Sequence, residues 1–349
     1  MIDLYVVESP LQALSAAEAK ALNGDQVESV IFVKSGLDAR QVHNGHLERS
    51  ISFGEWENVV WLGFSKYTKL KYHLSLIRLL LTIKKRYRGR VRNLYLGEFR
   101  SDWMLYLRCV IDPAKTFLLD DGAATLTVQE RYLSKNILWP EALSGRFLRD
   151  AIKRFLYKWM HDDRVARNMI HLFTSFDIPP APGQEVLKHS FEFARKNIHV
   201  VESKPEVYYF GAKYSEAGIM TVRSEIEFLS MVFDYYKNLG LVVVYVPHRD
   251  DSIAKVDLIS KKFDVDVRSL DCSAEIYFSL SGYIPFRVAA AYSSVLNNLR
   301  FFRGSEGCDS FVIPAPMIER KYRGNISNIY SYYRKVGINI VDFESRNKI

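Results

Sequence analysis

The side chains best suited to move a proton are Asp120-Asp121-Gly122, which follow the apolar run Phe117-Leu118-Leu119. Adjacent residues at a strand end point in different directions, so one acid can face a cleft while the other holds the turn. Such a carboxylate serves as a general base or a metal ligand; the plain alternative is a strand-to-turn cap with Gly122 at positive φ. No companion acidic motif supplies further metal ligands, which counts against a metal. His248 follows Val242 to Val246 and Pro247 and stands beside Arg249, a setting that suits an anion contact. Ser293 and Ser294 lie at a candidate helix start, where free backbone N–H groups suit phosphate oxygens. Gly211 ends a strand and opens the small, polar loop to Gly218, over which a nucleotide can lie. In Glu8-Ser9-Pro10-Leu11-Gln12, Ser9 can cap a helix whose first turn holds Pro10, as an anion-binding start or as a cap alone.

Short apolar runs alternating with helical stretches must carry these loops, and that alternation indicates a parallel α/β sheet. The runs are Leu4 to Val7, Ser29 to Val33, Val59 to Leu62, Asn93 to Leu96 and Thr116 to Leu119, with helices over Gln12 to Leu22 and Tyr72 to Arg86. After the breaker-rich Ile178-Pro179-Pro180-Ala181-Pro182-Gly183 the alternation restarts with Glu206 to Phe210, a helix over Ser224 to Leu239, and Leu241 to Val246. Further runs at Val265 to Val267, Glu275 to Ser279 and Ser310 to Ile313 continue it. The expected architecture is two Rossmann-like domains facing each other across a cleft: residues 1–177 with the paired acids, a linker over 178–199, and a second domain over 200–349 whose Gly211 loop can take a nucleotide.

The 349 residues, 48% hydrophobic and 25% charged, describe a folded chain large enough for two domains. Cys109, Cys272 and Cys308 have neither metal-binding nor disulfide spacing. No basic-then-apolar leader opens the sequence, and uncharged runs such as Val288 to Leu299 are too short to span a bilayer, so a cytoplasmic location is expected. The net charge of +8 suits an anionic partner. It is unevenly spread: Asn58 to Gly97 contains no acid, while ten Lys or Arg fall between Lys66 and Arg92. A second basic segment, Arg146 to Arg167, spaces Phe147, Leu148, Ile152, Phe155, Leu156, Trp159 and Met160 along one helical side. It reads as an ordinary packed helix or as a surface helix on anionic lipid.

In their order, Asp120-Asp121-Gly122, His248 and Ser293-Ser294 resemble bacterial sialyltransferases of the two-domain GT-B type, including the polysialyltransferase and lipooligosaccharide sialyltransferase groups. Those families carry an acidic-acidic-Gly motif, then a His-Pro motif, then a paired Ser or Ser-Thr motif. Arg249 stands where the second motif has proline, with Pro247 ahead of the histidine, and can add a contact to the donor. The resemblance implies inverting transfer of sialic acid from CMP-sialic acid to a glycan hydroxyl in capsule or lipopolysaccharide synthesis, without a metal or other cofactor. Asp120 is the first candidate for the base and Asp121 the second; His248, Ser293 and Ser294 stabilise the leaving phosphate. By the same resemblance Gly211, Ser215 and Glu216 line the nucleotide pocket, and Ser9 and Gln12 lie on the sugar side. The partners expected are a CMP-sugar donor, a glycan or glycolipid acceptor, and the anionic inner membrane, touched peripherally by the two basic segments. Transfer of another CMP-activated acid (legionaminic, pseudaminic or Kdo) is the nearest alternative. A basic nucleic-acid-binding protein is the alternative from another class, opposed by the lack of a nucleic-acid motif and by basic residues set among Leu79-Leu80-Leu81.

Overall fold

Strands covered by helices on both faces read as nearly continuous apolar runs, and the five runs of the first half form β1 (Ile2–Val7), β2 (Glu28–Lys34), β3 (Asn58–Leu62), β4 (Val91–Leu96) and β5 (Lys115–Leu118). The structure, a computed structural model, describes residues 1–24, 26–34, 41–62, 69–139, 160–198, 200–201 and 205–346. With β6 (Ile170–Thr174) and β7 (Val186–Lys188), these strands make one parallel sheet in the order β3-β2-β1-β4-β5-β6-β7. The helices of this unit include α1 (Pro10–Asn23), α2 (Gln41–Phe53), α3 (Lys69–Tyr87), α4 (Asp102–Ile111) and α5 (Ala124–Arg131). On the sheet face that packs α1 and α2, Tyr5, Tyr95 and Phe117 stack across β1, β4 and β5 with centroids 4.6 and 5.2 Å apart. This aromatic row sets the register of the three strands whose carboxyl ends carry the acids.

The chain divides into two units, Met1–His189 and Ser190–Ile349. The second repeats the architecture: β9 (Glu206–Phe210), β10 (Val242–Val246), β11 (Asp266–Val267), β13 (Arg287–Ala290), β14 (Cys308–Phe311) and β15 (Asn339–Val341) pair in parallel as β11-β10-β9-β13-β14-β15. Both sheets thus have the doubly wound order that leaves a switch point beside the first strand, between β1 and β4 and between β9 and β13. The short β8 (Val200–Val201) and β12 (Tyr283–Ile284) pair separately.

The breaker-rich run expected as part of a linker is instead a turn between β6 and β7 of the first unit. Gln184 holds it, accepting from the Ala181 N–H at 2.9 Å and donating to the Ile170 carbonyl at 2.9 Å. The passage between units comes at residues 189–190, within the 178–199 stretch. The Glu275 to Ser279 run, read with the strands, is a helix (Ala274–Ser281): Ser273 caps it by accepting from Ile276 N–H, and Gly282 ends it at φ 72°. Its alternating apolar residues fit either period, and the capping residues decide. The proposed basic helix over Arg146 to Arg167 lies largely outside the described residues, as do the side chains around Lys66 to Lys71. Cys109, Cys272 and Cys308 are buried thiols. Among the described residues no helix is long and apolar enough to cross a membrane, and no cluster of three or more His, Cys, Asp or Glu side chains is arranged to hold a metal ion.

Candidate functional site

In the first unit the candidate residues gather where β1, β4 and β5 end. Ser9 caps α1, accepting the Gln12 N–H at 3.3 Å, and Pro10 occupies the first helical turn. This cap orients Gln12, whose buried amide links two loops: its Oε1 accepts the Glu8 N–H at 2.8 Å and its Nε2 donates to Asp121 Oδ1 at 2.9 Å. Gly97, after β4, makes room for that amide, because a Cβ at this position would stand 2.3 Å from Gln12 Oε1.

The paired acids have different surroundings. Asp120 is 1% exposed. It accepts from Thr174 Oγ1 at 2.5 Å, Ser175 N–H at 2.7 Å and Ser175 Oγ at 3.0 Å, and His189 Nε2 lies 3.5 Å from Oδ2. These contacts tie β5 to β6 and leave Asp120 no exposed oxygen to offer a substrate. Asp121 is only partly buried, and its N–H donates to Thr125 Oγ1 at 3.1 Å at the start of α5. Burial, reinforced by the negative charge of Glu98, pushes its carboxyl up to about 6 against the lowering effect of the Gln12 hydrogen bond.

Glu98, absent from the sequence-based candidates, follows Gly97 at the end of β4 and lies close enough to Asp121 for the two carboxyls to act on each other's ionisation. Burial would raise its carboxyl, but Arg100 outweighs that and holds it below the usual range, donating from its backbone N–H, Nε and Nη2 at 2.9, 3.0 and 3.1 Å. The signal available in the sequence was an apolar strand running into Gly97-Glu98. Glu8 follows β1 as a further acceptor, taking hydrogen bonds from Lys34 Nζ at 3.0 Å, Ser101 Oγ at 3.3 Å and Trp103 Nε1.

In the second unit the candidates line the carboxyl ends of β9, β10 and β13. Gly211 is required by packing, since a Cβ there would lie 2.3 Å from the hydroxyl of buried Tyr245. Lys255, also missed from sequence, is 3% exposed and pairs with Glu216 at 2.8 Å, Glu225 at 2.9 Å and Asp251 at 2.9 Å. The three carboxylates belong to the loop after β9, the helix Val222–Asn238 and the loop after β10, so one ammonium fastens all three. Burial would raise the Glu216 carboxyl, but the Lys255 hydrogen bond holds it down at about 2. Ser215 donates its N–H to Glu225 at 3.0 Å and its hydroxyl to Glu216 at 3.1 Å. Ser215 and Glu216 therefore shape the loop from within.

His248 is fixed by the same network: its N–H donates to Asp251 Oδ2 at 2.9 Å, and its Nδ1 accepts the Asp250 N–H at 3.1 Å. Burial and the neighbouring Arg249 lower its pKa, so the ring is neutral at pH 7 with its proton on Nε2, a ready hydrogen-bond donor. Arg249 is exposed. Ser293 caps the helix Ser294–Arg303, accepting the Val295 N–H at 3.4 Å, and Ser294 is its first residue. The first unit thus presents a carboxyl of raised proton affinity, and the second a neutral imidazole donor and a capped helix start.

No protein-family model matches this sequence, and no curated protein sequence matches it significantly. Solved structures do resemble it in fold. UDP-GlcNAc 2-epimerase from Neisseria meningitidis bound to UDP-GlcNAc is 9% identical with a TM-score of 0.51, over 98% of this chain and 95% of that one. A putative UDP-N-acetylglucosamine 2-epimerase from Listeria monocytogenes is 9% identical with a TM-score of 0.53, over 97% and 91%. The S. aureus MnaA–UDP co-structure is 10% identical with a TM-score of 0.50, over 97% and 92%. The likeness covers nearly the full length of each chain and is one of fold: two Rossmann-like domains of the GT-B type.

Proposed function

We propose that this GT-B chain is a glycosyltransferase that takes its sugar from a nucleotide, and specifically an inverting sialyltransferase acting on CMP-sialic acid and a glycan hydroxyl in capsule or lipopolysaccharide synthesis. The observation that carries the reading is the Asp121 carboxyl, held by Gln12 at the end of the first sheet and raised to about 6. A base of that strength is largely ionised at pH 7 and still accepts a proton as a sugar hydroxyl becomes a nucleophile. The hydroxyl oxygen bonds to the anomeric carbon as the carbon–phosphate oxygen bond breaks, the hydroxyl proton passes to Asp121, and CMP departs with the bonding pair. His248 Nε2–H and the helix start at Ser293 and Ser294 stabilise the phosphate charge that develops. In this reading Gly211 and Arg249 serve the nucleotide, and Ser9 and Gln12 the sugars. Asp120, the first choice from sequence, serves in this reading as the brace that positions its neighbour.

The order of motifs from residue 120 to residue 294 favours CMP-sialic acid as donor. Purified protein incubated with CMP-sialic acid and a panel of galactosides is expected to release CMP, and His248→Ala to release far less while keeping its CD spectrum. CMP-legionaminic acid, CMP-pseudaminic acid and CMP-Kdo in parallel decide the donor. UDP-GlcNAc tests the 2-epimerisation named for the structural neighbours. Absence of both CMP binding and turnover with every CMP-activated acid refutes the CMP-dependent reading.

Peripheral contact with an anionic inner membrane completes the reading. It is supported by α3, where Leu74 and Leu81, 54% and 50% exposed, share one helical face with exposed Arg78 and Lys85 in a stretch without acids.

A further inference from the structure

The carboxyl ends of β4 and β5 bring together two acids whose roles the motif pattern does not separate. Leu96 pairs with Leu118, and the Leu119 N–H donates to the Leu96 carbonyl at 2.8 Å, so the loops beginning at Gly97 and Asp120 leave the sheet side by side. Glu98 is gripped by Arg100 through three hydrogen bonds of 2.9 to 3.1 Å, and Asp121 by Gln12 at 2.9 Å. One side of the pair is thus fixed by a cation and the other by a neutral amide. We propose that Glu98 is a positioning residue of the reaction centre: gripped by Arg100 beside Asp121, it leaves Asp121 as the carboxyl of the pair that takes up the proton of the acceptor hydroxyl.

Two carboxyls close enough to interact cannot both ionise freely, and the one beside a guanidinium gives up its proton first. Arg100 makes Glu98 that one. The remaining surroundings support this division. The Gln12 amide from α1 and the Thr125 hydroxyl from α5 are neutral, and Asp120, next along the chain, is held on its other side by Thr174, Ser175 and His189. Glu8, after β1, faces Lys34. Arg100 acts on both members of the pair, and its bonds are made to Glu98. The consequence is a base that loads and unloads its proton close to neutrality, below which transfer declines.

This inference rests on the reading of Asp121 as the base, and its principal test needs no substrate. The side-chain carboxyl carbons of the full chain are 13C-labelled at aspartate and titrated by NMR, with Asp121→Asn identifying the resonance. Glu98→Gln, which removes the charge, is expected to lower the Asp121 titration by about one unit, a tenfold change in proton affinity. Arg100→Gln is expected to move the pair's upper titration the opposite way, and it keeps the test open should Glu98→Gln fail to fold. An Asp121 titration unmoved in both folded variants overturns the pairing. Where transfer is measurable, the acidic limb of its pH profile should follow the NMR shift in Glu98→Gln, which a purely structural Glu98 would not cause. A shifted titration in a protein that transfers no sugar upholds the pair and counts against the transferase reading alone.

Discussion

Replacing each acid of the Asp120-Asp121 pair by asparagine should change stability in opposite directions. A carboxyl raised from 3.8 to about 6 holds its proton more tightly in the folded chain than in the unfolded one. Well below pH 3.8 both states are protonated and the group has no effect on stability. Between pH 4 and 6 the unfolded state ionises first, and above pH 6 the folded chain carries the full cost, at most about 3 kcal/mol for a shift of this size. Asp121→Asn removes that cost. Its Oδ1 can still accept from Gln12 and its amide can donate to Glu98, so the variant should be more stable than wild type by about 1–3 kcal/mol at pH 8, with Tm higher by roughly 5 °C. The gain should shrink to about 0.5 kcal/mol at pH 4 and vanish at lower pH. Asp120→Asn, in contrast, points an amide at Thr174 Oγ1 or at the Ser175 N–H and hydroxyl, all of which now donate to the carboxylate. A loss of about 2–4 kcal/mol at neutral pH is expected. Thermal melts followed by circular dichroism at pH 4 and pH 8 measure both. The reasoning is refuted if Asp121→Asn is less stable than wild type at pH 8, or if its gain is equal at the two pH values. Loss of transfer in the stabilised Asp121→Asn would separate its chemical role from its structural one.

Gly97→Ala should push the Gln12 amide off Asp121, because the new Cβ would stand 2.3 Å from Gln12 Oε1. Transfer is expected to drop by at least about tenfold with little change in Tm, and wild-type kinetics would show that the Gln12 link is dispensable. For the membrane contact, vesicles rich in phosphatidylglycerol should bind the protein while neutral phosphatidylcholine vesicles do not. Reversing Arg78 and Lys85 to glutamate should weaken that binding by at least about tenfold, at roughly 1 kcal/mol per basic residue. Equal sedimentation with both vesicle types, or binding unaffected by the reversal, removes α3 as the contact.

Much of the fold was legible because buried parallel strands must be apolar on both faces, and β1, β2, β4, β5, β9 and β10 announce themselves that way, while the apolar β3 lies at the sheet edge with Val60 and Trp61 exposed. Ser9 before Pro10 likewise identified the start of α1. Other elements lacked such a signature. β13 owes its place to its position between β9 and β14, its Val288-Ala289-Ala290 being weakly strand-forming by itself, and β7 and β15 are three-residue strands at sheet edges. The run Glu275 to Ser279 carries an alternation that fits a strand, and the cap at Ser273 and stop at Gly282 override it.

By itself the sequence determined that two acids follow β5, that a histidine follows β10, that a serine pair stands at a helix start, and that basic charge concentrates before β4. These follow from the order of residues along the chain. Only the tertiary structure decided which acid is saturated by hydrogen bonds and which is left partly exposed, because the donors to Asp120 come from β6 and the loop after it, more than fifty residues away. It also supplied Glu98, Arg100 and Lys255, whose effects depend on which strand ends lie side by side. A pKa and a hydrogen-bond partner are properties of a surrounding, and strands distant in sequence create that surrounding when they pair.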